Sequence, residues 1–161
     1  EQNRLAESDL GISLCYTHFG RLYDKQGKTA EAIAEYRKAY EIMKPSGDRW
    51  HPMEPCLALA EIHLKTGDYN AAVRAFGDSK TNNAALAQIL TKDYSSASST
   101  LASVANPDAT TYYLMAVLGA RTNNEQMALS NLKQAVRLDS SLAAKAAKDL
   151  EFAKYNLSGI N

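Results

Sequence analysis

The sequence predicts an all-α protein, a solenoid of about four stacked helix pairs with a capping helix at its C-terminal end. Three observations predict it. A turn followed by an amphipathic stretch recurs four times, in GKTAEAIAEYRKA, GDYNAAVRAF, KDYSSASSTLASV and NNEQMALSNLKQAV. Each recurrence sets an alanine (Ala32, Ala72, Ala97, Ala128) four residues ahead of a large side chain (Tyr36, Phe76, Leu101, Leu132). Residues four apart share a helical face, so the small one admits a neighbouring helix and the large one fills the space beside it. Finally, 161 residues of which 45% are hydrophobic suffice to bury one continuous core.

The first helix pair is predicted from CYTHFGRLYDKQGKTAEAIAEYRKAYEI, with Gly27 at its turn. After it, KPSGDRWHPMEP holds three prolines and a glycine, which do not continue a helix and so form a connecting loop. The second pair turns at Gly67. Gly77, Asp78 and the polar run Lys80-Thr81-Asn82-Asn83 end one helix early and start the next late, so the third pair is short. The fourth runs from about residue 108 to 140. Apolar positions Leu142, Ala146, Leu150, Ala153 and Leu157 then form the stripe of an amphipathic capping helix over 141–157. At the other end, residues 1–9 read as the tail of a second helix from a preceding pair, and the chain begins without methionine, as a fragment of a longer array or a processed chain would.

The first pair resembles the tetratricopeptide repeat (TPR): Phe19-Gly20 and Tyr23 in one helix, Gly27 at the turn, and Ala32, Tyr36 and Ala39 in the next. The second pair keeps Gly67, Tyr69, Ala72 and Phe76. The fourth keeps Tyr112, Ala116, Ala128, Leu132 and Ala135 and ends in Leu138-Asp139-Ser140, without the proline usual there. The third is the weakest, carried by Asp93-Tyr94 and Ala97. The resemblance implies a right-handed α-α superhelix forming a single domain over 1–161, with repeats at about 12–46, 53–79, 80–106 and 108–140. The buried alanines lie 40, 25 and 31 residues apart, against about 34 for this repeat type.

Composition and spacing exclude several functions. Net charge is zero and the basic residues are dispersed, unlike the footprint of a nucleic-acid binder. No apolar run approaches the roughly 20 residues of a membrane span. His18 and His63 fall on different helices and His51 lies in the proline-rich loop. No phosphate-cradling glycine loop, zinc-protease motif or Cys–His pair is present, so neither an enzyme nor a cofactor or metal site is expected. Cys15 and Cys56 sit near the starts of first helices in neighbouring repeats. A bridge between them and a pair of buried free thiols are both open readings, the second being the commoner arrangement. Trp50-His51-Pro52-Met53 reads either as a presented recognition element or as a plug over the junction of the first two repeats.

By the resemblance, a protein or peptide partner lies along a concave face lined by first helices. The residues aligned with that face are Thr17, Arg21 and Asp24, then Leu57, Glu61 and Leu64, then Tyr113, Val117 and Arg121. The carboxylate clamp of chaperone-binding members is incomplete, with Thr17, Arg21 and Ala58 at its places, so chaperone-tail binding is not expected. Composition also changes along the chain: residues 1–80 hold every histidine, both cysteines, the tryptophan and 23 of the 36 charged side chains. The first half resembles arrays that precede bacterial sensor kinases and the second resembles repeat proteins of the bacterial cell envelope, which implies a periplasmic or envelope setting. Besides a natural interaction scaffold, two alternatives remain: an engineered fusion of two arrays through a shared helix near residues 50–67, and a ligand-sensing segment of a signalling receptor.

Overall fold

The computed structural model describes residues 2–43 and 53–160, and among them every regular element is helical. The helices are α1 (Gln2–Lys25), α2 (Thr29–Met43), α3 (Met53–Thr66), α4 (Tyr69–Phe76), α5 (Asn82–Leu90), α6 (Tyr94–Ala102), α7 (Ala109–Arg121), α8 (Glu125–Leu138) and α9 (Ser141–Ala146), followed by a 3-10 turn at Leu150–Phe152. Consecutive helices pack as pairs, α1 with α2, α3 with α4, α5 with α6 and α7 with α8. This is the TPR-like helical-pair architecture that the sequence predicts. Residues 44–52, with Trp50 and His51 among them, lie outside the described residues.

The four pairs share one turn geometry. Gly27, Gly67, Lys92 and Asn123 all have positive φ, at 72°, 83°, 65° and 57°, and each stands five residues before a buried alanine. The left-handed residue reverses the chain so that the next helix returns against the first. One residue later a side chain caps that helix in three of the four turns: Asp68 accepts from the Ala71 N–H at 3.0 Å, Asp93 from Ser96 at 3.2 Å and Asn124 from Met127 at 3.0 Å. Glycine and asparagine take the left-handed conformation readily, whereas lysine is strained there. Lys92→Gly is therefore expected to raise stability by about 0.5–1 kcal/mol. A urea titration checks it, and a lower midpoint would contradict the turn geometry.

The alanine and large-residue pairs are the buried ones. Ala32, Ala72, Ala97 and Ala128 are fully inaccessible, and Tyr36, Phe76, Leu101 and Leu132 are at most 5% exposed. The approach that these small residues permit is close. A methyl group on Gly20 would stand 2.7 Å from the Tyr36 ring, and one on Gly119 would stand 2.6 Å from the Ala128 backbone nitrogen.

The chain divides into two compact units, Glu1–Gly77 and Asp78–Asn161. In the first, Ala32, Tyr36, Leu59 and Ile62 form the core, with Tyr23, Ile33, Ala58 and Ala75 against it. In the second, α5 to α8 surround Ile89, Leu101, Leu114, Leu118 and Leu132, and the C-terminal segment adds Ala146, Phe152 and Ile160. α7 opens with a capping box: Asp108 accepts from the Thr111 N–H at 2.8 Å while the Thr111 hydroxyl accepts from the Asp108 N–H at 3.1 Å. These bonds hold the Asp108 carboxyl below its ordinary range. A lowered folded-state pKa contributes stability above the unfolded value, and that contribution fades as pH falls through the folded one. Asp108→Ala is expected to cost about 1 kcal/mol at neutral pH. Thermal melts of variant and parent should converge in acid; a difference that persisted there would exclude the charged carboxylate as its source.

Two end segments depart from the sequence expectation. Residues 2–9 do not form a separate helix but belong to α1, which runs unbroken for 24 residues. The expected helix over 141–157 ends at Ala146, and Leu150, placed on its buried stripe, is 89% exposed. Instead Asp149 accepts from the Glu151 N–H at 3.0 Å and starts the 3-10 turn that buries Phe152.

Candidate functional site

The residues aligned with a partner-binding face fall into three environments. In the first unit α1 and α3 are linked by two ion pairs of opposite sense. Arg21 on α1 pairs with Glu54 on α3, and Lys65 on α3 pairs with Asp24 on α1 at 3.5 Å. Both arginine and lysine are more than half exposed. Leu57 and Leu64 are half-buried and Glu61 is exposed on the same helix α3. This surface alternates charged groups with half-buried apolar side chains.

Thr17 is different. It is 2% exposed and its hydroxyl donates to the Ser13 carbonyl at 2.9 Å, while the Ser13 hydroxyl donates to the Ala39 carbonyl at 3.0 Å. Thr17 is therefore a packing residue between α1 and α2, not an exposed lining residue. Its short side chain serves the close approach that Gly20 also permits.

In the second unit the corresponding side of α7 is already occupied by the chain itself. Tyr113 and Val117 are 6% and 8% exposed, which corrects the expectation that they line an open face. The Tyr113 hydroxyl donates to Asp149 Oδ2 at 2.6 Å, its ring meets Phe152 edge to face with centroids 5.6 Å apart, and Lys145 Nζ lies 4.8 Å from its centroid. Burial and the Asp149 carboxylate push the Tyr113 hydroxyl pKa well up. Arg121 donates to Glu151 through Nε at 2.9 Å and a terminal nitrogen at 2.5 Å, and its other terminal nitrogen donates to the Ile89 carbonyl at 3.2 Å. Lys154 donates to Asn123 Oδ1 at 2.6 Å. The segment from Lys145 to Lys154 thus covers α7 by aromatic, ionic and backbone contacts together.

Glu54 and Lys65, which complete the pairs on the first unit, were not among the sequence candidates. Neither were Asp149, Glu151 and Phe152. The first two carried a signal, since each stands on the same helix as the candidates Leu57, Glu61 and Leu64. The last three did not, because their role depends on where the chain breaks after Ala146.

Reactive chemistry is sparse. Among the described residues no group of three or more His, Cys, Asp or Glu side chains is placed to hold a metal. Cys15 and Cys56 are both free thiols, Cys15 exposed and Cys56 half-buried, and burial pushes the Cys56 thiol pKa up, away from the reactive thiolate. His18 is exposed. His63 lies 3.9 Å from Asp68. No helix is long and apolar enough to cross a membrane, among the described residues.

Paired helices with a repeated turn define an α-helical repeat protein. The family model described as Tetratricopeptide repeat matches residues 14–42, which span the latter part of α1 and nearly all of α2, so the first helix pair is similar to that repeat. The other pairs repeat its left-handed turn and buried alanine. No curated protein matches the chain. Tetratricopeptide repeats generally mediate protein–protein interaction and are typically not catalytic.

Proposed function

We propose that the protein is a non-catalytic scaffold that binds a peptide or partner helix on the α1/α3 face of its first unit. The observation that carries this reading is the contrast between two equivalent faces: on α7 the aligned residues are covered by the C-terminal segment, whereas Arg21, Asp24, Leu57, Glu61 and Leu64 remain accessible. Exposed ion pairs such as Arg21–Glu54 and Lys65–Asp24 contribute only about 0–1 kcal/mol each to folding. A partner carrying charges of both signs can therefore exchange them for its own contacts at little cost to the fold. Leu57 and Leu64 supply apolar area between the charges, the usual complement of an amphipathic helix or extended peptide.

The test is affinity capture from bacterial envelope and cytosolic extracts with the intact chain, alongside an Arg21→Glu, Glu61→Lys double variant whose thermal melt matches the parent. Tyr113 is unsuited to this comparison because it is buried. The expected result is a protein retained by the parent and lost by the variant, recovered afterwards as a short peptide that binds the parent alone. Equal retention by both chains would move the binding surface elsewhere. Retention by neither would count against a scaffold with a selected partner.

A further inference from the structure

The second unit carries its own example of a peptide segment seated on a first helix. Glu151 holds the Arg121 guanidinium at the end of α7, and the next residue, Phe152, lies edge to face on Tyr113, about two turns earlier on the same helix. Arg121 does one thing more. Its other terminal nitrogen crosses to the Ile89 carbonyl at the end of α5, at 3.2 Å. A single cation thus ties two first helices together on one side and receives a carboxylate on the other.

The first unit repeats half of that arrangement. Aligning the left-handed turn residues Gly67 and Asn123, and with them Ala72 and Ala128, sets Lys65 at the place of Arg121 and Leu57 at that of Tyr113. Aligning Gly27 with Lys92, and Ala32 with Ala97, sets Asp24 at the place of Ile89. Lys65 reaches Asp24 at 3.5 Å, as Arg121 reaches Ile89. The tie between first helices is therefore kept in both units. Among the described residues nothing stands to Lys65 as Glu151 stands to Arg121. The Lys65 side chain is 66% exposed, against 26% for Arg121, and its ammonium has donors beyond the one that Asp24 takes.

We propose that the α1/α3 face selects a peptide with the chemistry of Glu151-Phe152: a carboxylate against Lys65 and, next to it in the peptide, an aromatic side chain over Leu57. This rests on that face being the partner-binding surface, and it names what the surface selects. An ammonium donates to two carboxylates at once, and the exposed setting screens the repulsion between the incoming acid and Asp24. Leu57 is half-buried and apolar, a seat for a ring. It has no hydroxyl, so a second acid placed like Asp149, which accepts from Tyr113, has nothing to bind here. One acid beside one aromatic is the whole requirement. The chain's own copy of this pair is enclosed on α7, with Phe152 1% exposed, so the peptide comes from another protein.

The experiment is a fluorescence-anisotropy titration, at low salt, of the intact chain into a labelled free peptide with the sequence of residues 148–157. Saturable binding is expected, weakened about tenfold by Lys65→Glu in the protein and by Glu151→Gln or Phe152→Ala in the peptide. Asp149→Asn in the peptide should leave the affinity unchanged, and Glu151→Lys in the peptide should recover binding to the Lys65→Glu protein. Lys65→Gln serves in place of Lys65→Glu if the latter melts below the parent. Absence of saturable binding would overturn the proposal. So would binding indifferent to both Lys65 variants, which is the result if the peptide instead exchanges with the chain's own segment on α7. The capture comparison with the Arg21→Glu, Glu61→Lys variant makes no assumption about the partner's sequence. A captured partner whose binding peptide lacks an acid beside an aromatic would therefore sink this selectivity and leave the α1/α3 face as the binding surface.

Discussion

Phe152→Ala is expected to destabilise the second unit by about 3–5 kcal/mol, the cost of emptying a fully enclosed aromatic site. Phe152 is 1% exposed, and it is the largest fully buried side chain that the C-terminal segment contributes to that core. Its loss removes the edge-to-face partner of Tyr113 and unseats the turn that positions Asp149 and Glu151. Hydrogen exchange should show faster exchange over 147–160 and along α7, together with a lower denaturation midpoint. Parent-like protection in both segments would mean that the C-terminal segment does not seat on α7. Leu150→Ala is the matched control, since that side chain lies 89% exposed two residues away and its removal should leave both readouts unchanged.

Gly119→Leu is expected to destabilise the second unit by about 3 kcal/mol, because the obstruction is backbone. The first carbon added would stand 2.6 Å from the Ala128 nitrogen and 3.0 Å from its Cα, and neither is the movable tip of a side chain. α7 and α8 must separate to accept it. Overpacking typically costs about 1–3 kcal/mol, and a clash with main chain belongs at the upper end of that range. Gly20→Ala meets the ring of Tyr36 instead, which is 3% exposed and has little room to turn. A thermal melt ranks the three: Gly119→Leu lowest, Gly20→Ala next, the parent highest. If Gly119→Leu melted with the parent, the close packing of α7 on α8 would be wrong.

The parts of this fold that could be read from the sequence are those fixed by local, repeated chemistry. An alanine four residues before Tyr36, Phe76, Leu101 or Leu132 is a short-range pattern, and the core forms where it recurs. The early stop at Phe76 and late start at Asn82 were legible for the same reason, since Gly77 and the following polar run punctuate the chain. The C-terminal segment was not legible in this way. Its alanines and lysines are good helix formers, and nothing local states that Asp149 will cap a turn that swings Phe152 beneath Tyr113; that outcome is decided by the tertiary pocket. Residues 2–9 read as a separate helix because Gly11, a poor helix former, stands between them and the repeat-like part of α1, yet the helix runs through it. Of the partner-face candidates, Arg21, Asp24, Leu57, Glu61 and Leu64 kept an accessible position. Thr17, Tyr113 and Val117 are buried and Arg121 is engaged by Glu151 and the Ile89 carbonyl, because alignment assigns a face without knowing what lies on it.

The left-handed turn residue has a consequence for how this chain tolerates change in length. Its distance to the buried alanine is five residues in all four pairs, although the pairs themselves are spaced unevenly. The turn acts as an index mark, and the segments between marks are adjustable. A residue inserted between Lys92 and Ala97 would rotate the alanine by about 100° out of its contact. Doubling an exposed connector between pairs, such as the stretch from Ala105 to Pro107, costs only about 0.6 kcal/mol in loop closure. Unequal crossovers and grafted segments therefore have permitted sites along this sequence and forbidden ones, and the positive-φ positions mark where the forbidden ones begin.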